Sequence, residues 1–303
     1  MKTGFFRALI GSCSGTEIFV QLREQKAWRA LCHLVLMSLL CSVIISIGVY
    51  PGLQKKVRNS VDIAVKNCGR LVCSNKAVLP EKTPDQIKNF IVAGPLSVTY
   101  IPEKAVELPA DFQKECSVGV IWNGSQIGLW SMYSANQFAF VPLSDPLTAV
   151  APTTASTAKE LLDLLKKTKP LTLDLPENKL EYVNKEKLQL WGELLLRLSW
   201  AGWMIRQNFI EVIIYIAMFM GVFLLMNIMR PHRLKFREML VLAIYAGFPA
   251  MLAGSIADAL QLPFFTFNMI YVFGMTIYLI IIMNRLERMR QERKWHDRPE
   301  NIG

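Results

Sequence analysis

The stretch FIEVIIYIAMFMGVFLLMNIM, residues Phe209–Met229, decides the fold class. Glu211 is its only charged side chain, and its length falls within the ~17–25 residues that a helix needs to cross a ~30 Å hydrocarbon core. Working outward, three further stretches share this character: Ala30–Tyr50 on the N-terminal side, and Met239–Leu260 and Phe264–Met283 on the C-terminal side. The last two are separated only by Gln261-Leu262-Pro263. The chain of 303 residues is 52% hydrophobic and 19% charged, against about 45–50% and about 25% in soluble domains. A purely soluble enzyme and a disordered chain are both excluded. The expected fold is an integral membrane α-helical bundle of four transmembrane helices, with a small α+β extracytoplasmic domain inserted between the first and second.

The first span is followed by Tyr50-Pro51-Gly52 rather than by a small-residue cleavage site, so it reads as an uncleaved signal anchor that ends at Tyr50. Basic residues orient the bundle. Lys2, Arg7, Arg23, Lys26 and Arg29 lie in the N-terminal segment 1–29, Arg230, Arg233, Lys235 and Arg237 in the loop 230–238, and Arg285, Arg288, Arg290, Arg293, Lys294 and Arg298 in the tail 284–303. With four spans all three segments share one side, and the positive-inside rule makes that side cytoplasmic. Lys55, Lys56 and Arg58, just beyond the first span, run against the rule. The expected location is a bacterial cytoplasmic (inner) membrane with both termini cytoplasmic. The formal net charge of +10 is then met by lipid headgroups, and no nucleic-acid partner is expected. Trp28, Trp191, Trp200 and Trp203 fall just before spans, where amphipathic rings favour the headgroup layer.

Residues 51–208 are expected outside, enough for one small domain. Thr83-Pro84-Asp85-Gln86 has the form of a capping box with proline at the first helical position, and predicts a short helix that places Ile87, Phe90 and Ile91 on one face before Gly94-Pro95 stops it. Thr157-Ala158-Lys159-Glu160 repeats the device ahead of Leu161–Leu165, with Lys166, Lys167 and Lys169 suiting the negative end of a helix dipole. Between them, Ser97–Ile101, Val118–Trp122, Ile127–Met132 and Phe138–Val141 read as strands of an antiparallel sheet, with Asn123-Gly124 at a hairpin turn. Asn123-Gly124-Ser125 is also a glycosylation sequon, which turn chemistry explains more simply. From Asn184 the period is helical again, with Leu188, Trp191, Leu195, Leu198 and Gly202 three or four apart, predicting a stalk helix that runs without proline into the second span.

Several of these motifs carry a resemblance. Phe6-Arg7-Ala8-Leu9-Ile10-Gly11-Ser12 with Phe19 downstream, and the hairpin Val120-Ile121-Trp122-Asn123-Gly124, resemble a bacterial membrane-protein family labelled as maltodextrin-utilisation-related. Lys235-Phe236-Arg237-Glu238-Met239-Leu240, followed by Ala243-Ile244-Tyr245-Ala246-Gly247-Phe248-Pro249, is similar to that family's third span and its mid-helix proline, shared with the wider Yip1-like superfamily. That family usually carries an aspartate where this chain has Trp122. The resemblance implies a fold and a connection to carbohydrate uptake, and no catalytic residues.

Chemistry is sparse. The three histidines, His33, His232 and His296, all fall on the cytoplasmic side or in the membrane, so the outer domain has no imidazole for Ser-His-Asp or Cys-His catalysis or for a common zinc site. No phosphate loop or cofactor motif is present, and neither a cofactor nor a metal is expected. Cys13, Cys32 and Cys41 lie on the cytoplasmic side or in the membrane. Cys68, Cys73 and Cys116 face outside, where one disulfide is expected, between Cys68 and Cys73, because Gly69 allows a turn between them. Glu211 and Asp258 are a candidate intramembrane polar pair, each near the outer boundary of its span, where snorkelling or pairing with Arg206 competes with a proton or cation site. Ala243, Gly247, Ala250, Gly254 and Ala257 form a small-residue helix-packing face that Asp258 borders. The expected function is a non-enzymatic accessory or scaffold component that binds a ligand or partner outside, with lipid and another membrane protein or a second copy as partners. The alternative is a small proton- or cation-coupled transporter that uses Glu211 and Asp258.

Overall fold

The computed structural model describes residues 3–109, 112, 116–134, 137–143, 152–173, 175–176, 179–228 and 233–296, without the side chains of 290–296. Lys2, Met229, Arg230, His232 and Arg298 lie outside the described residues, as do the side chains of Arg290, Arg293, Lys294 and His296. The chain divides into two compact units, one formed by Met1–Leu53 with Leu198–Gly303 and one by Gln54–Arg197.

The first unit is helical. Short helices α1 (Phe5–Ser14) and α2 (Ile18–Leu22) precede α3 (Ala27–Cys68), whose first half belongs here. After the second unit come the end of α5 (Lys185–Ile205), one π turn at Arg206–Glu211, α6 (Val212–Ile228), α7 (Phe236–Ala259) and α8 (Phe267–His296). Among the described residues four helices are long and apolar enough to cross a membrane: Ala27–Cys68, Lys185–Ile228, Phe236–Ala259 and Phe267–Met289. Helix α7 is the central one, with 72% of its apolar stretch buried against 22–39% for the others. Around it pack Leu34, Met37 and Cys41 of α3, Ile216, Met220 and Phe223 of α6, Tyr271 and Met275 of α8, and Phe19 and Leu22 of α2. The outward faces are apolar too, with Leu39, Val43 and Ile47 on α3 and Met218, Val222 and Leu225 on α6 all exposed. Such a continuous apolar exterior suits hydrocarbon and not water.

The helix that carries the first expected span does not end at Tyr50. Helix α3 continues through Pro51 to Cys68. Beyond the proline, Val57, Val61, Ala64 and Cys68 recur every three or four residues, and Val57 and Val61 lie against Gly192 of α5. Arg58 donates two hydrogen bonds to Glu193, and Lys185 pairs with Asp62 at 2.8 Å. A helical period with partners for its charges outweighs one proline, which removes a single backbone bond.

The second unit is sheet-rich. Its small sheet has the order β2-β1-β9, from β1 (Leu71–Cys73), β2 (Val78–Pro80) and β9 (Glu181–Val183). The larger sheet runs in sequence order through β3 (Lys88–Ala93), β4 (Leu96–Tyr100), β5 (Val118–Trp122), β6 (Ile127–Ser134), β7 (Gln137–Pro142) and β8 (Thr153–Ala155). Its pairs are antiparallel except β4 with β5, which is parallel, so the sheet is mixed and not purely antiparallel. One face carries Ile121, Trp130, Phe138 and Phe140 against Leu161, Leu162 and Leu165 of α4 (Ala158–Lys167). That helix starts as expected: Thr157 Oγ1 accepts the Glu160 N–H, and the Glu160 carboxylate accepts the Ser156 N–H.

The helix expected after Thr83 is absent. Lys88–Ala93 is the edge strand β3, paired with β4. Thr83 takes φ +44°, and the Tyr100 hydroxyl donates to Pro84 O, so the segment is a turn that feeds a strand. Period-2 pairing with Val98 and Tyr100 gives Phe90 and Val92 a sheet to cover, whereas a lone three-turn helix would have had little to pack on.

Candidate functional site

Two places gather the chain's polar and apolar peculiarities, one in each unit.

In the helical unit the π turn at Arg206–Glu211 turns two amides inward. Gln207 and Asn208 are 6% and 1% exposed. Gln207 Nε2 donates to Asp258 Oδ2 at 2.7 Å, and Asp258 Oδ1 accepts the Phe267 N–H at 3.1 Å. Asp258 thereby caps the start of α8 with one oxygen while holding the π turn with the other, and an anionic group there favours the positive end of the helix dipole. Asn208 closes a directed chain with α3: Ser38 Oγ donates to Asn208 O at 2.6 Å, Ser42 Oγ to Ser38 O, and Asn208 Nδ2 to Ser42 Oγ at 3.0 Å. Each hydroxyl proton is committed, which fixes the orientation of the Asn208 amide and leaves its Oδ1 buried without a partner. Wide π turns commonly occur at sites where a helix re-aims its side chains.

Glu211 takes no part in this network. It pairs with Arg206 at 3.5 Å and stays 23% exposed at its side chain. The polar partner of Asp258 is therefore Gln207, not Glu211. Gln207 and Asn208 were invisible to sequence reading, since neutral amides at a span boundary carry no charge signal and the π turn that buries them has no spacing signature.

The small-residue face meets α8. A side chain added at Gly247 would strike Tyr271, one at Gly254 would strike Phe267, and Ala250 lies against Gly274. Ala243 and Ala257 are also buried. His33 is buried and shares a 2.8 Å contact with Tyr245 Oη. That hydroxyl donates to Gln25 Oε1, so the His33 Nδ1 proton serves Tyr245. Trp200 donates to Ser46 Oγ and stands beside Tyr50 and Trp203; Trp28 is exposed.

In the sheet-rich unit a cavity of about 220 Å³ lies between the two sheets. Phe90, Val98, Val120, Trp122 and Ile127 line it from the larger sheet. Opposite them stand Leu71 and Val78 of the small sheet with Cys68 and Leu188. Polar groups at the rim are already engaged. Trp122 Nε1 donates to Val78 O, while Gln126 Nε2 donates to Lys166 O and Thr168 O, and its Oε1 accepts from Asn123. Asn123 Oδ1 accepts the Gln126 N–H and Gly124 takes φ +93°, so this residue is spent on the turn and, at 4% exposure, is no glycan acceptor. Burial raises the Tyr100 phenol above its ordinary value.

The expected Cys68–Cys73 bridge is not made. All six cysteines are free thiols. Cys68 packs with Tyr100 and Trp122 at the cavity, whereas Cys73 is carried along the extended β1 to pair in register with Val78 and Glu181. The turn at Gly69 leads into a strand that moves the second thiol away. Burial raises the Cys73 thiol, which keeps it protonated and unreactive. Among the described residues no three His, Cys, Asp or Glu side chains gather as a metal site would require.

No protein-family model, no curated protein and no solved structure matches this chain.

Proposed function

We propose that this protein is a non-enzymatic membrane component whose sheet-rich domain binds a small apolar group in the cavity between its two sheets. The cavity itself carries the reading. Its walls are aliphatic and aromatic, and every polar rim group described above is satisfied within the protein, so a ligand would be held by burial alone. Apolar cavities of ~150 Å³ stay dry and take up benzene, which makes a bicyclic ring or a short alkyl chain the matching size here. A sugar would need unpaired donors and acceptors around it. If the protein serves carbohydrate uptake, as its resemblance implies, the cavity's share is to hold an apolar group of a partner or a lipid. Multi-pass insertion in a bacterial inner membrane, with the sheet-rich domain outside, accords with the basic segments of the sequence.

The transporter alternative has less support, since Asp258 uses both oxygens on fixed donors and Glu211 pairs elsewhere.

The test uses the full chain in phosphatidylcholine nanodiscs with naphthalene as probe. Naphthalene is expected to raise the thermal transition of the wild type, by about 2.7 kcal/mol at a hundredfold excess over Kd, and to shield Cys68 from an apolar maleimide in a background lacking the other cysteines. Val120→Trp, which fills the cavity, is expected to remove both effects while the protein stays folded. Persistence of the shift in Val120→Trp defeats the reading.

A further inference from the structure

A second cavity, of about 550 Å³, lies in the helical unit where α1, α2 and α8 meet, lined among others by Arg7, Ser14, Thr16, Glu17, Gln21 and Arg285. Its chemistry is the reverse of the apolar cavity: two guanidinium groups, two hydroxyls and an amide, against one carboxylate. That carboxylate, Glu17, is 87% exposed at its side chain and stands 3.6 Å from Arg285 Nη2, too far for a hydrogen bond. Arg285 Nε is buried and has no partner. The Arg285 side chain is nevertheless 43% exposed, so the rest of its guanidinium remains open to an acceptor in the cavity it lines.

Helix α1 adds an independent observation. At 100° per residue its side chains sort into three faces. Ala8, Leu9 and Ser12 are buried in the core. Arg7, Gly11 and Ser14 line the cavity. Phe6, Ile10 and Cys13 turn outward, Phe6 and Ile10 being 72% and 65% exposed. The outward apolar face adjoins the cavity face, so a single ligand with an anionic head and an apolar tail would satisfy both. Arginine forks match phosphate oxygens in pairs, with a geometry that an ammonium cannot supply.

We propose that this cavity binds the phosphate of an anionic phospholipid, with the headgroup between Arg7 and Arg285 and the acyl chains along Phe6 and Ile10. The site depends on the helices lying in a bilayer and not on the apolar cavity of the other unit, so the two fail separately. Purified full-length protein is titrated with phosphatidylglycerol and with phosphatidylcholine and read by native mass spectrometry. The wild type is expected to prefer phosphatidylglycerol by about tenfold, because phosphatidylcholine offers the same phosphate but adds a quaternary ammonium that the two guanidinium groups repel. Arg7→Gln with Arg285→Gln is expected to abolish that preference, and Lys26→Gln, at an exposed lysine outside the cavity, to leave it intact. Arg7→Gln alone, at an exposed side chain, carries the same test should the double variant fail to fold. Glu17→Gln is expected to strengthen binding by removing the one opposing charge, whereas a merely structural Glu17–Arg285 pair would weaken it. A folded double variant that keeps the preference overturns the proposal. So does displacement of the lipid by millimolar inorganic phosphate that binds equally well on its own, which would assign the cavity to a soluble anion.

Discussion

Asp258 shows how one side chain ties three elements together. Its Oδ2 takes the Gln207 amide of the π turn and its Oδ1 takes the Phe267 N–H at the start of α8, while its own backbone belongs to the last turn of α7. Replacing it by alanine strands two buried donors, each worth about 1–3 kcal/mol when left unpaired. Asp258→Asn keeps an acceptor and is expected to cost less. Gln207→Leu combined with Asp258→Ala should be less destabilising than the two single changes added together, with a coupling of about 0.5–3 kcal/mol, measured as thermal unfolding of the detergent-solubilised protein. Purely additive effects would mean that the two side chains do not interact. The sequence made Asp258 visible because a carboxylate within an apolar run is conspicuous, and it set Glu211 beside it as a candidate partner against a pairing with Arg206, the contact that Glu211 makes. Charge alone could not reveal Gln207, since a neutral amide satisfies a half-buried carboxylate without a second charge to desolvate.

Two threonines followed by the same motif came to opposite ends. Thr157 caps α4 through its hydroxyl, and behind it Leu161, Leu162 and Leu165 find a sheet face to cover. Thr83 heads an equally good capping box, yet its backbone sits at φ +44° and the chain beyond it joins β4 as an edge strand. The local signals were alike, and the difference lay in what each downstream face could be buried against, a tertiary fact with no local spacing. Strand β3 and the three short strands of the small sheet were illegible for the same reason, while β4, β5, β6 and β7 showed their alternation plainly. The two sites therefore respond oppositely to substitution. Thr157→Ala should destabilise the sheet-rich unit by about 1 kcal/mol through loss of the cap. Thr83→Gly should stabilise it by a few tenths to ~1 kcal/mol, because a β-branched residue at positive φ is strained and glycine is not. Chemical denaturation of the full-length protein distinguishes the signs, and a destabilising Thr83→Gly would mean that the threonine side chain supplies a contact exceeding the backbone strain.

At the scale of the whole molecule, the helices long and apolar enough to span are four among the described residues, an even number, so residues before α3 and residues after α8 must share a side if these four alone cross. The basic side chains cluster before α3, along the C-terminal turns of α8 and at Arg298 beyond it, and in the segment between α6 and α7, which is the same side by the same parity. Lys55, Lys56 and Arg58 oppose the rule from the other side, but Arg58 is paired with Glu193 and so adds little uncompensated charge. Both arguments support the proposal that the sheet-rich unit and the termini lie on opposite sides of the membrane. The natural cysteines are poor reporters of this. Cys73 and Cys116 are buried, and Cys13 lies on the outward apolar face of α1. Exposed lysines serve better, with Lys26 just ahead of α3 and Lys82 in the turn after β2. In a cysteine-free background, Lys82→Cys should react with a membrane-impermeant maleimide in intact cells, and Lys26→Cys should react only after the membrane is opened. The reverse pattern would invert the molecule, placing the apolar cavity on the cytoplasmic side and the Arg7–Arg285 cavity in the outer headgroup layer, while labelling of both positions in intact cells would require an odd number of crossings between them to be abandoned.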